Sequence, residues 1–576
     1  MYYCEIWQSV KDSHPVKSSE LSLCSVCDCY LSKTSQLDRD IMGATQTLIH
    51  GGDIVTMDDY QPNIEAVAVR DGKITAVGET SFCRDQLDKN PEEINLKGST
   101  LLPGFIDSHI HPTMMILYEM YTDVSRFSTF TEIEAVLAKT TNSLSNTEWV
   151  IGLQFEEQYL KPPVLPNRHD LDRCCPDHPA ILLKRDGHSL VANTKAIKMA
   201  GITCSTDDPE GGSIDRETDG FPAGSFRENA MQLIMSKISL PAMESIIKAA
   251  DTVFKRISGF GITSVSAILQ TDNEGIMGEQ GAFDIPLMEL LKDQIPFSMY
   301  IMLVAQNARV VVDLMSSPLH QESIGAGHRI GALKLWADGS FASCTAKMKE
   351  PFTDNPNTSG YLLDTPEIIY RRMVDAHKAG LQLAIHTIGD ESTDICLELF
   401  DRLLKQHPRN NHRHRLEHVS IIDDESVAKM ADLGLIASVQ PLFIHSERDW
   451  LHKRLGKKRT RYTYPFRSFV DGGVIVSGSS DAPIESMNAL QAIQCCVTRY
   501  GFEPQQSLSV QEAIKMFTLN AAYAQFEESA KGSISQGKRA DFVILGDNPL
   551  NVPEESIQDI PIEKTICGGM VTHSKT

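Results

Sequence analysis

Apolar and polar positions follow two different rhythms along this chain, and the change between them divides it. From about residue 46, short β-rich runs are broken by Gly-Gly: TQTLIHGGDIVTMDD, then AVAVRDGKITAVGE, where Asp71-Gly72 joins two alternating segments as a hairpin. The other end returns to the same style in GSISQGKRADFVILGDNP and KTICGGMVTH. Two β-rich flanks around a long middle predict one small composite β-sandwich, built from residues 44–100 and 506–573.

The middle reads differently. ADTVFKRISGFG leads into ITSVSA, PEIIYRRMVDAHKAG into LQLAIH, DDESVAKMADLG into LIASVQP, and YPFRSFVDGG into VIVSGSSD. Glycine just past a helix suits the left-handed C′ position, and helix–strand alternation implies parallel strands with crossover helices. Eight candidate strands result, at 105–111, 262–267, 297–303, 331–338, 381–386, 414–419, 435–441 and 474–481. From the second onward they recur at roughly 30–50-residue intervals, as a (β/α)8 TIM-like barrel requires. The predicted class is therefore α/β, with the barrel over 101–505 and a large insertion, about 113–260, after its first strand. Loops that follow barrel strands lie on the catalytic face, so the insertion is expected to cover the active site. Residues 1–43 are polar, Ser-rich and aperiodic, and read as a disordered or dispensable extension with Met42 as an alternative start.

Composition narrows the class of function. The chain has 576 residues, 41% hydrophobic, enough for a large core. A net charge of −22 argues against a nucleic-acid or anionic-membrane surface. No window approaches the ~18 consecutive apolar residues of a membrane-spanning helix, and MYYCEIWQSVKDSHPVKSSE contains no apolar leader segment. Thirteen cysteines are too dilute for a disulfide scaffold, and the Cys24, Cys27, Cys29 cluster has no second half to complete a zinc site. The expectation is a soluble chain in a reducing, cytoplasmic setting with a small-molecule partner, the oligomeric state being left open with a homodimer as one option.

PGFIDSHIHP sets His109 and His111 two apart, on one face of a strand, where paired imidazoles chelate a divalent metal. Other barrel strands supply the partners. Lys334 lies in the fourth, His386 ends the fifth, His418 lies in the sixth and Asp481 ends the eighth. Imidazole and carboxylate donors at one level suit zinc, with iron, manganese or nickel allowed by the same logic.

This set resembles that of the metal-dependent amidohydrolase superfamily, in wording similar to its YtcJ / N-substituted formamide deformylase branch. The matching stretches are LLPGFIDSHIHP, LLKRDGHSLVANTKAI, LKLWADGSFASCTA, AIHTIGD, HRLEHVS, SVQP and GSSDAP, and the resemblance covers about 46–572. It implies one or two divalent metals, zinc foremost, on His109, His111, His386, His418 and Asp481. It also implies a CO2-derived carbamate on Lys334; the alternative is a lysine paired with Asp338. The implied reaction is hydrolysis of a non-peptide C–N bond by metal-activated hydroxide, with Asp481 as general base and acid. His188 matches a motif in the insertion and is a candidate catalytic donor. Asp338, Gln440 and Trp336 are candidate substrate contacts, with Ser340 beside them, and core filling is the alternative for Trp336 and Phe341. Glu417 and Asp390 are candidate orienters of imidazoles, whereas Arg415 reads as packing and the basic run 457–464 as a solvated loop. Cys344 and ESMNAL depart from the branch's wording, which touches substrate preference and no proposed ligand. A deaminase on the same scaffold and a catalytically silent relative are the competing readings.

Overall fold

The computed structural model describes residues 46–142, 144–239, 241–271, 278–321 and 327–575. The extension 1–43, with Cys24, Cys27 and Cys29, lies outside them. Eight parallel strands form one sheet in sequential order: β1 Phe105–Ile110, β2 Ile262–Gln270, β3 Ser298–Val304, β4 His328–Trp336, β5 Gln382–Thr387, β6 Arg415–His418, β7 Ile436–Val439 and β8 Ile475–Gly478. Each falls where the apolar runs predicted it. Their residues are buried almost throughout, because helices cover the outside and side chains fill the inside. Helices Pro366–Lys378 and Asp424–Asp432 stop before Gly380 and Gly434, whose φ values of 81° and 62° take the chain through the left-handed turn into the next strand.

The barrel closes between β1 and the segment after β8. Asp481 N donates to His109 O and His111 N to Ala482 O, each at 2.8 Å. Asp107 locks this seam from the side: its carboxylate accepts from Ser480 N at 3.1 Å and Ser480 Oγ at 2.5 Å. Closure therefore brings together residues more than 370 positions apart in the chain.

The flanks build two small sheets. One has four strands, all from the N-terminal side, including the hairpin Ala66–Arg70/Lys73–Gly78. The other has five, mixing Asp53–Ile54 and Thr100–Pro103 with Phe542–Leu545, Ile562–Cys567 and Met570–Ser574. Ile49, Val67, Val69, Leu101, Phe542, Ile544 and Ile566 share the core between them. The expected C-terminal boundary at 506 moves: helices Val510–Met516 and Leu519–Ala524 pack on β8, the latter also on β1, so they belong to the barrel. The insertion is tighter than expected as well. A six-stranded sheet spans Thr122–Asp123 to Pro222–Glu228, while helix Met243–Gly259, amphipathic with its apolar face buried, packs back on β2.

Candidate active site

Four imidazoles and one carboxylate converge at the C-terminal ends of β1, β5, β6 and β8. Neighbouring ring centroids are 5.5 Å apart for His109–His111, 4.9 Å for His109–His418 and 4.4 Å for His386–His418. Asp481 Oδ1 stands 3.3 Å from His109 Nε2 and 3.1 Å from His111 Nε2, and Oδ2 is 3.9 Å from His418 Nδ1. His418 and Asp481 both adopt left-handed backbone, φ 71° and 58°, a conformation costly for residues with a Cβ and concentrated at functional sites.

A second layer of contacts sets which ring nitrogens face inward. His109 Nδ1 donates to Glu417 Oε2 at 2.5 Å, leaving Nε2 toward Asp481. Glu417 is itself gripped by Arg415, which is wholly buried and also donates to Ser108 O at 2.6 Å and Ser438 Oγ at 2.7 Å. His418 Nδ1 donates to Gln440 Oε1 at 2.7 Å, while Gln440 Nε2 donates to Ser479 Oγ at 2.9 Å. Ser479 in turn donates to Val439 O, which orients the amide and leaves His418 Nε2 free. His386 Nε2 donates to Gly339 O at 3.1 Å, leaving Nδ1 free.

Electrostatics matches that arrangement. Burial opposes charge on Asp481, yet the charge of His109 and hydrogen bonds from His109 and His111 hold its carboxyl well below the usual range. Burial, reinforced by neighbouring cations, keeps His386 neutral and pushes His418 down to about 3. Glu417 is held low by Arg415 and His109 against the effect of its own burial. His386 and His418 are thus neutral imidazoles with lone pairs beside a fixed anion, whereas Asp481 and Glu417 raise His109 against its burial. With a divalent cation in place of the His109 proton, these groups are the donor set such a metal takes. Donors bound at ~2.1 Å around a tetrahedral ion stand ~3.4 Å apart, close to the 3.1 and 3.3 Å seen around Asp481 Oδ1. Among the described residues, His109, His418 and Asp481 form the group able to hold a metal ion with mutually close ligand atoms.

Lys334 projects into this region from β4, 1% exposed, with its Nζ 4.5 Å from the Trp336 ring centroid and only a 3.4 Å contact to Leu335 O. Burial pushes its ammonium down to about 8, although Glu417 and Asp481 pull the other way. Pairing with Asp338 does not occur. Asp338 accepts instead from Lys347 N, Ile388 N, Gly389 N and Ser392 Oγ, which saturates it and ties together the loops after β4 and β5. As a substrate contact Asp338 is therefore corrected: its oxygens are spent on the scaffold. Gln440 is corrected likewise, because it serves His418 and does not line the cleft. Trp336 is half-buried over Lys334, also off the cleft wall, and Phe341 is core. Asp390 orients no imidazole; it accepts from Lys349 N at the start of helix Asp390–Gln406. Arg459 of the basic run braces Glu350 O and Pro351 O.

His188 descends from the insertion. Its ring lies 5.2 Å from His386, and Nδ1 donates to Glu228 Oε2 at 2.8 Å. Burial disfavours charge there, but Glu228 outweighs it and raises the imidazole to about 9. His188, His386, His418 and Asp481 line one cleft with Glu156, Asp186, Glu447 and Glu485. Sequence patterns do not single out these acids. Glu156, Asp186 and Glu485 lie in loops and Glu447 ends helix Leu442–Glu447; none of these segments carries a ligand spacing, so only the fold reveals them.

A profile of the Amidohydrolase family matches residues 92–573. The chain is 29% identical to the "Putative amidohydrolase YtcJ" of Bacillus subtilis strain 168, over 92% of this chain and 99% of that protein. It is 26% identical to the N-substituted formamide deformylase of Arthrobacter pascens, over 92% of this chain and 98% of that one. The crystal structure of an uncharacterized metal-dependent hydrolase from Pyrococcus horikoshii shares the fold, with a TM-score of 0.70, 23% identity, and coverage of 88% of this chain and 99% of that chain. A barrel that closes two histidines of one strand onto an aspartate of its last, under a profile spanning most of the sequence, leaves one conclusion: the chain belongs to the Amidohydrolase family of metal-dependent hydrolases acting on carbon–nitrogen bonds.

Proposed function

We propose that this barrel mouth hydrolyses the amide bond of a small N-formyl or N-acyl amine. The observation that carries the reading is the seam at β1 and β8, which sets Asp481 Oδ1 within 3.3 Å of two imidazole nitrogens. A relative named N-substituted formamide deformylase supports the formamide class. His109, His111, His418 and Asp481 would hold a divalent cation, zinc first. A second would be held by His386 and by Lys334 once carboxylated, since a buried amine pushed down to about 8 without a carboxylate partner is open to CO2. The bound metal supplies Lewis acidity toward the carbonyl oxygen and lowers the pKa of water toward ~7.

The chain's own groups do the rest. Asp481 accepts the proton of the attacking water and delivers it to the leaving nitrogen. His188, charged through Glu228, donates to the developing oxyanion from the opposite wall. Arg415 and Glu417 keep His109 in the tautomer that presents Nε2. The free cysteines among the described residues suit a reducing, cytoplasmic setting. The test is a panel of N-formyl, N-acyl and cyclic amides with zinc and bicarbonate. Metal-dependent release of amine is expected; turnover unchanged after removal of all metal would overturn the reading.

A further inference from the structure

Opposite the imidazoles, the roof of the cleft carries more carboxyl groups than cations. Lys184 pairs with Glu157 at 2.9 Å, Arg185 with Glu485 at 3.6 Å and His188 with Glu228 at 2.8 Å. Asp186 is held by the hydroxyls of Ser340 and Ser343, each at 2.6 Å. Two carboxylates of the cleft wall lack a cation of their own: Glu156 shares Lys184 with Glu157, and Glu447 has no ion pair among the described residues. Glu447, at the end of helix Leu442–Glu447 beyond β7, accepts from the Tyr464 hydroxyl. Glu156, just past the inserted strand Val150–Phe155, is 8% exposed, and its Oε1 makes no hydrogen bond; Lys184 Nζ stands 3.6 Å from it. Burial and neighbouring carboxylates lift both acids to about 8, as happens when buried carboxylates lack adequate compensation. Tyr159, Phe443 and Trp450 line the same cleft.

Resting on the amide-hydrolase reading, we propose that the substrate carries a protonated amine, seated between Glu156 and Glu447, on an apolar or aromatic body. An ammonium there gives Glu447 a cation partner and Glu156 a second one, so that both acids release their protons, while the aromatic faces attract it further. A neutral substrate leaves both acids protonated, and an anionic one meets no cleft cation that lacks a carboxylate partner, since Arg185 and His188 are already paired. The substrate class is then mono-N-acylated diamines and ammonium-bearing amides, and hydrolysis adds water across the C–N bond to give a carboxylate and a diammonium product.

The test uses three mono-formylated amines of equal length, ending in ammonium, methyl or carboxylate, with the zinc-loaded protein at pH 7. kcat/KM is expected to be at least about tenfold higher for the ammonium compound than for the methyl one, with the carboxylate compound lowest. That preference ratio should fall at least fivefold in Glu156→Gln and, independently, in Glu447→Gln, and survive in Glu156→Asp. A separate calorimetric titration compares the free diammonium with the matching diol, the diammonium binding tighter. Preference for the neutral or anionic amide, or equal binding of diammonium and diol, overturns the proposal. Selective diammonium binding with no amide turned over upholds the cation site and defeats the hydrolase reading.

Discussion

Two clusters of buried histidines lie at opposite ends of the barrel, and only one turns ring nitrogens toward a shared carboxylate. At the start of β6, His377, His412 and His414 stack, with 5.1 Å between the His377 and His414 centroids and 4.6 Å between those of His412 and His414. Their ring nitrogens are occupied: His414 Nδ1 accepts from Leu383 N, and its Nε2 faces His377 Nδ1 at 2.8 Å. His377 Nε2 donates to His407 O, and His412 spans His414 N and Leu433 O. At the mouth, the outer contacts of His109, His386 and His418 leave one nitrogen of each turned inward, around an aspartate. His414 and His418 are four residues apart in HRHRLEHVS, on the two ends of the same strand. Histidine density is thus no sign of function; the partner of each ring nitrogen is.

That contrast can be broken from either side. His109→Ala and Asp481→Asn should each lower turnover at least ~10³-fold with the fold intact by circular dichroism; normal activity in either would mean that the mouth is not the site. Removing the roof donor with His188→Gln should cost about 10²-fold in kcat while metal content, read by mass spectrometry, stays constant. Glu417→Gln should weaken zinc binding by about 10–100-fold in chelator competition and also destabilise the fold, since Arg415 loses its buried partner. At the other cluster, His414→Ala should cost about 2–4 kcal/mol in urea denaturation, through the orphaned Leu383 N–H and the cavity, without changing turnover per folded molecule.

The smallest effect is on pH. His188 is raised above its ordinary 6.5 to about 9, so the charged ring stabilises the folded state fully below ~6.5, and that contribution is lost as pH rises through about 9. The alkaline limb of kcat/KM should follow the same titration, and Glu228→Gln should move it to lower pH.

Much of the mouth is legible in the amino-acid order alone. His109 and His111 are read from spacing two within a strand, and His386, His418 and Asp481 from their place at the ends of apolar runs. The errors have a common source. Asp338 and Gln440 occupy strand ends just as the ligands do, but one caps two loops and the other orients His418, and neither task leaves a trace in spacing. Glu156, Glu447 and Glu485 escape notice for the converse reason: nothing in their own segments marks them, and they meet only where the insertion folds over the barrel.

The alternation of apolar runs with glycine-ended helices determined the eight-strand barrel and the level at which its polar residues emerge, because burial periodicity and helix caps are local properties. Which nitrogen of each histidine faces inward, which acids find a cation and which do not were decided only in three dimensions. Hydrogen-bond partners and charge compensation depend on neighbours more than 370 residues away, and no local pattern records them.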